Sequence, residues 1–125
     1  STIRMVDYFN LDIDIIGGPI VREKDGLAMS SRNKRLNAKE RKTALTLSEI
    51  LFFIRDNYKK FQLTQLKNNA LGRLKKTEGL ELEYLEFADS TTLMPVSEYK
   101  NDSGTCVFIA AKIGNVRLID NVVLF

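Results

Sequence analysis

Residues 19–33 read Pro-Ile-Val-Arg-Glu-Lys-Asp-Gly-Leu-Ala-Met-Ser-Ser-Arg-Asn. They bring two hydroxyls (Ser30 and Ser31), the guanidinium of Arg32 and a set of backbone N–H groups onto a small-residue loop ahead of a helix. These are the parts of a phosphate cradle, in which Arg makes planar multi-donor contacts while hydroxyls and amides reach the remaining oxygens. Ser-Ser-Arg-Asn is equally the composition of a solvated turn, and residue types alone leave both readings open. The chain contains no His. This excludes a His general acid/base, a Ser-His-Asp triad, a Cys-His dyad and the usual zinc sites within it. Chemistry here must run on Arg, Lys, Ser, Asp, Glu or backbone donors, or on groups from outside the chain. The single Cys106 sits in the apolar run Cys-Val-Phe-Ile-Ala-Ala and reads as a small buried hydrophobe, compatible with a reducing cytoplasm. Asp12 and Asp14 alternate with Ile and make no metal site, so no metal ligands are expected.

The loop needs a scaffold, and the hydrophobic periodicity supplies one. Asn37-Ala38-Lys39-Glu40 has the form of a capping box. Behind it, Leu47, Leu51, Ile54 and Tyr58 fall on one face of a helix of about 20 residues. A second helix is expected from about Thr64 to Lys75, with Leu66, Ala70, Leu71 and Leu74 inward and Gly79 closing the segment. Leu80, Leu82 and Tyr84 then alternate with Glu81 and Glu83, predicting a strand that continues through Phe87. Cys106 to Lys112 reads as a buried central strand. Gly114-Asn115 predicts a tight antiparallel hairpin to residues 116–120. Between Phe87 and Thr105 lies a connector with Pro95 and the turn cluster Asn101-Asp102-Ser103-Gly104. The fold expectation is therefore α+β, with two helices packed on a small, mainly antiparallel three-stranded sheet. Upstream, residues 2–9 suggest a helical turn or two, and Leu11 to Ile16 reads as a βα-type strand separated from its sheet. Ile13, Ile15 and Ile16 of that strand could pair between chains and support a homodimer.

The 125 residues suffice for one domain. The start at Ser1-Thr2-Ile3 reads as a piece trimmed from a longer protein. No stretch approaches a transmembrane helix and no signal peptide is visible. With 19 Lys and Arg against 16 Asp and Glu, the net charge of +3 suits an anionic ligand. Arg32, Lys34, Arg35, Lys39, Arg41 and Lys42 form a basic run that raises a competing reading, a stand-alone module for single-stranded nucleic acid. No aromatic is interleaved, which favours a solvated face and no nucleic-acid partner. Phe52-Phe53 reads as core. Arg22, Lys24 and Asp25 either shape the loop through local ion pairs or touch a ligand, and Arg117 with Asp120 reads as a structural pair.

The order of residues 17–33, from Gly17-Gly18-Pro19 to Ser30-Ser31-Arg32-Asn33, closely resembles a signature of the pantoate–beta-alanine ligase family. Ala110-Ala111-Lys112-Ile113-Gly114-Asn115-Val116-Arg117-Leu118-Ile119-Asp120-Asn121 resembles the same family's C-terminal signature. Together the two matches cover the chain in effect from end to end. The resemblance implies a Rossmann-like N-terminal domain, with residues 1–18 its remnant, and a C-terminal lid domain over 19–125. It implies a ligase that joins pantoate and beta-alanine through a pantoyl adenylate, using ATP with Mg2+. By the same likeness Met29, Ser30, Ser31 and Arg32 match the ATP-binding loop, and Val21 a position that meets adenine through its backbone. Ser30, Ser31 and Arg32 would carry the catalytic contacts. The family's paired histidines, lysine-containing second ATP loop and pantoate-binding glutamines lie in the N-terminal domain and have no counterpart here. The implied setting is cytoplasmic and membrane-free, and a fragment of this extent is expected to be inactive alone.

Overall fold

The computed structural model describes residues 21–99 and 104–125. The expected strand at Leu11 to Ile16, the helical turn before it, the 18/19 boundary and most of the turn cluster at 101–104 lie outside the described residues.

Asn37 sits in extended backbone and its side chain accepts from the Glu40 N–H, while the Glu40 carboxylate accepts from the Asn37 N–H. This reciprocal cap satisfies two of the donors that a helix start leaves open. Helix α1 runs from there over Ala38–Asn57. Its stripe Leu47, Leu51 and Ile54 is buried, joined by Ala44 and Ile50. Helix α2 covers Leu63–Lys75 and turns Leu66, Ala70 and Leu74 inward, with Leu71 at the margin. Gly79 adopts φ 83 in the turn that leads from α2 into the first strand.

Strands β1 (Leu80–Asp89), β2 (Thr105–Ile113) and β3 (Val116–Val123) form one antiparallel sheet in the order β1-β2-β3. The two helices lie on one face of it. Facing them are Leu85 and Phe87 of β1, Val107, Ile109 and Ala111 of β2, and Val116 and Leu118 of β3. The hairpin from β2 to β3 turns at Gly114 and Asn115, with Ile113 opposite Val116. Gly114 has φ 60, and any side chain there would collide with the Glu40 carboxylate of the helix cap. The positive φ is what favours glycine here, while the Glu40 carboxylate is the far end of a side chain that can swing aside at the expense of its contact with the cap.

The sequence expectation differs from the structure in β1. Leu80, Leu82 and Tyr84 do not share a face, because the register shifts between Leu82 and Tyr84. The extra residue of a β-bulge moves every later side chain to the other side. Leu85 and Phe87 join the helix-covered core as a result, and Tyr84 packs with Ala88, Leu93, Cys106 and Phe108 on the opposite face. Burial there raises the Tyr84 hydroxyl well above its usual range and pushes the Cys106 thiol up to about 11. Cys106 is the inert buried residue its apolar neighbours suggested, only 2% exposed.

The Phe52-Phe53 pair is not core. Phe53 is 44% exposed and Phe52 lies under the guanidinium groups of Arg22 and Arg55, each 4.6 Å from the ring centre. Successive helix positions turn by about 100°, so Leu51 and Ile54 can share the buried stripe only if the two residues between them leave it.

The capping box yields a direct test. Asn37→Ala should cost about 0.5–2 kcal/mol by urea unfolding, whereas Asn37→Gly should cost only a few tenths. An Asn37→Ala variant as stable as the parent would rule out the side-chain cap as a stabilising contact.

Candidate functional site

Residues 21–29 fold back on themselves as a short antiparallel ribbon. Arg22 bridges Ala28, the Glu23 N–H donates to Leu27 O at 2.8 Å, and the Met29 N–H donates to Val21 O at 2.9 Å. Gly26 makes the turn at φ 96, and Leu27 plugs the turn into the core at 3% exposure. Leu27 is the only apolar member of the ribbon that is buried.

The chain leaves the ribbon at Ser30, which is extended and caps a 3-10 helix over Ser31–Arg35 by accepting from the Arg32 N–H at 3.2 Å. A hydroxyl that accepts in this way still has its own proton to donate outward. Asn33 is buried behind the turn, and its amide donates to Ala28 O at 2.9 Å and to the Glu23 carboxylate. The return path of the loop is therefore stitched to its outward path.

Two arginines fasten this ribbon to the scaffold. Arg41, in the first turns of α1, grips Asp25 through Nε at 2.9 Å and Nη2 at 3.0 Å, and Glu23 through Nη2 at 3.1 Å. Arg22 makes a bidentate pair with Asp120 of β3 at 2.9 and 3.0 Å. Asp120 is only 3% exposed. Burial raises its pKa, opposed by Arg22 and, to a lesser degree, by the Asn121 N–H. Asp25, at the surface, is moved the other way by its hydrogen bonds to Arg41.

What remains exposed is the segment the sequence reading singled out. Met29 is 59% exposed, and Ser30, Ser31 and Arg32 also face solvent. Val21, eight residues before Met29, is hydrogen-bonded beside it across the ribbon and is 66% exposed. Arg32 and Arg35 reach the β2–β3 hairpin, donating to Arg117 O and Asn115 O, each at 3.4 Å. Contacts this long and exposed are weak, so both guanidinium groups are easily recruited elsewhere. Lys24 is exposed at the ribbon tip. Among the described residues no group of three or more His, Cys, Asp or Glu is arranged to hold a metal ion, and no helix is long and apolar enough to cross a membrane.

Two expectations about charge need correction. Arg117 does not pair with Asp120: it donates to the Glu83 carboxylate at 2.8 and 3.1 Å, while Asp120 takes Arg22. Residues three apart on a strand point to opposite faces, so the two could not meet. The basic run is solvated as expected at Arg32, Lys34, Arg35, Lys39 and Lys42, but Arg41 leaves that face and is committed to the loop carboxylates. Asn33, Glu23 and Arg41 are the members of the site whose roles were missed. Asn33 lay in view inside the signature, but its burial depends on the ribbon, which no periodicity reveals.

Comparison with known proteins matches residues 2–123 to the family model described as pantoate-beta-alanine ligase. The pantothenate synthetase of Geobacter sp. (strain M21) is 42% identical over 123 residues, covering 97% of this chain and 43% of that protein. That of Bacteroides thetaiotaomicron is 41% identical over 120 residues, covering 96% and 42%. The crystal structure of pantothenate synthetase from Thermus thermophilus superimposes with a TM-score of 0.77 at 30% identity, over 86% of this chain and 39% of that one. The chain thus spans about two-fifths of the length of the curated relatives it matches.

The Arg41 clamp has a pH signature. A carboxyl whose pKa is lowered in the fold adds stability that is complete above its unfolded-state value, about 4, and is lost as pH falls through the lowered one. Asp25→Asn should therefore flatten the acid limb of a urea-stability profile taken from pH 6 down to about pH 2. An acid limb that overlays the parent's would show that Asp25 gains nothing from Arg41.

Proposed function

The chain belongs to the pantoate–beta-alanine ligase family, and from that premise we propose that residues 29–32 are the ATP-phosphate loop of an AMP-forming ligase. The reaction is the joining of pantoate to beta-alanine through a pantoyl adenylate. The observation that carries this reading is the contrast within the loop. Both of its arms are held to the scaffold, yet Ser30, Ser31 and Arg32 face solvent with donors to spare. A phosphate site needs donors that are fixed in place beforehand but not consumed by the fold.

In the adenylation step a carboxylate oxygen of pantoate attacks the α-phosphorus of ATP, the P–O bond to the β-phosphate breaks, and pyrophosphate leaves. The attacking carboxylate is already ionised, so no general base is required of this chain. Catalysis consists of alignment and of stabilising the charge that grows on the leaving pyrophosphate. Arg32 is suited to clamp two oxygens at once, and Ser30 and Ser31 offer hydroxyl and amide donors to the β- and γ-phosphates. Family likeness assigns Val21 to the adenine through its backbone, and its exposure beside Met29 on the ribbon is compatible with that role. The Val21 carbonyl already accepts from Met29, so such a contact uses its N–H or its second lone pair. Mg2+ travels with the nucleotide. In the second step the beta-alanine amine attacks the acyl carbon and AMP departs.

The remainder of the ligase, a Rossmann-like domain by family likeness, would supply the pantoate pocket and most of the adenine pocket. The 125-residue chain by itself is accordingly expected to bind ATP or pyrophosphate weakly and to catalyse nothing.

In the complete ligase, Arg32→Ala should slow single-turnover adenylation about 10²–10³-fold, the scale of removing one transition-state donor. Unchanged single-turnover adenylation in that variant would sink the assignment of Arg32. Submicromolar, sequence-tolerant binding of an oligonucleotide would instead favour a nucleic-acid module.

A further inference from the structure

We propose that Arg22 is a positioning residue for the phosphate loop, acting through Asp120, and this rests on the reading of residues 29–32 given above. Its guanidinium does more than neutralise a buried carboxylate. Nη1 donates at once to Asp120 Oδ2 at 2.9 Å and to Gly26 O, at the tip of the ribbon, at 3.0 Å. Nη2 donates to Asp120 Oδ1 at 3.0 Å and to Asn121 O at 3.4 Å. The plane of Arg22 also lies over Phe52 of α1. One side chain therefore joins the ribbon's turn, the third strand and the first helix. Its own backbone bridges Ala28, one residue before Met29.

Magnitudes separate this clamp from the Arg41 clamp. The pairs of Arg41 with Glu23 and Asp25 are about one-third exposed on both sides, so water screens them and the Arg41 clamp is the weaker of the two. The side chains of Arg22 and Asp120 are 18% and 4% exposed. Removing one partner of such a pair leaves a buried charge without compensation. Asp120 thus has strong reason to hold Arg22 in place, and Arg22 in turn fixes the point from which the loop emerges. Lys cannot substitute. An ammonium keeps the charge but lacks the planar fork that meets two carboxylate oxygens and two carbonyls together. Arg22 itself need not reach ATP. Its effect is on where Ser30, Ser31 and Arg32 stand, and a displacement of about 1 Å at reacting groups can cost about 10²-fold in rate.

The test uses Arg22→Lys and the isosteric Asp120→Asn in the complete ligase, with Arg73→Lys, at an exposed pair on α2, as the control. Amide exchange is followed by mass spectrometry over residues 22–30 and over β2, beside single-turnover adenylation and ATP affinity. Both clamp variants should exchange at least about 10-fold faster in the ribbon with β2 protection unchanged. Adenylation should slow about 10–100-fold while ATP affinity moves less, the pattern of lost transition-state alignment. The control should move none of these readouts. A ribbon that stays protected in both variants overturns the proposal and leaves the phosphate reading to the Arg32→Ala result. Faster exchange throughout β2 as well would make Arg22 a fold residue only, and this too overturns it. A loosened ribbon with unchanged adenylation would show that the loop does not serve the phosphates, and the positioning role falls with that reading.

Discussion

Alternate residues of β2 point to opposite sides of the sheet, and both sets are out of water. Val107, Ile109 and Ala111 lie beneath the helices, while Cys106, Phe108 and Ala110 lie on the other face, all within 2% of complete burial. A strand in that position needs neighbours along both edges for its backbone polar groups and a cover on each face. β1 and β3 satisfy the edges, and α1 and α2 supply one cover. The opposite face is closed in part by the segment after β1. There the Asp89 carboxylate accepts from the Thr91 and Thr92 N–H groups, and Leu93, at φ 61, packs against Ala88, Cys106 and Phe108. A left-handed Leu costs about 1–2 kcal/mol, which the about 1.5–3 kcal/mol from burying its side chain offsets. Burial thus decides a backbone conformation that local preference opposes.

The candidate site is attached to this core at one unusual point. In β3 the face that meets the helices carries Val116 and Leu118 and then Asp120, a carboxylate where an apolar residue would cost nothing to bury. A buried ion pair is seldom a better stabiliser than well-packed hydrophobic side chains of the same volume. What it adds here is direction. A carboxylate sequestered from water must be met by a donor of matching geometry, and the donor belongs to the ribbon that carries the loop. The loop's small residues can remain exposed because its order comes from either side, from Arg22 and Arg41, and from Asn33 behind.

Much of the architecture was legible along the chain. The capping box, the stripe on α1, the central strand and the Gly-Asn hairpin all appear where local pattern puts them. Each is set by interactions among residues close in sequence or by a period that burial imposes. The failures share a cause. The bulge between Leu82 and Tyr84 reverses a phase that looked regular in the letters. Phe52 and Phe53 look apolar enough for the core, but the helix turns them off its buried stripe. Arg117 and Asp120 sit close in sequence, yet a strand sends them to opposite faces, and their partners come from Glu83 and Arg22 at distances that no spacing rule reaches.

The zero in the histidine column, the Ser-Ser-Arg loop and the two family signatures belong to the sequence alone. They narrow the chemistry, because residue types limit what a site can do and long ordered motifs limit which family it comes from. The ribbon, the burial of Asn33, the Arg22–Asp120 clamp and the pairing of Val21 with Met29 belong to the tertiary structure. They depend on residues up to 98 positions apart meeting at one edge of the sheet. Local sequence carries the propensity of a loop to exist, but where that loop is held is decided by which buried charge must be satisfied once the core has closed.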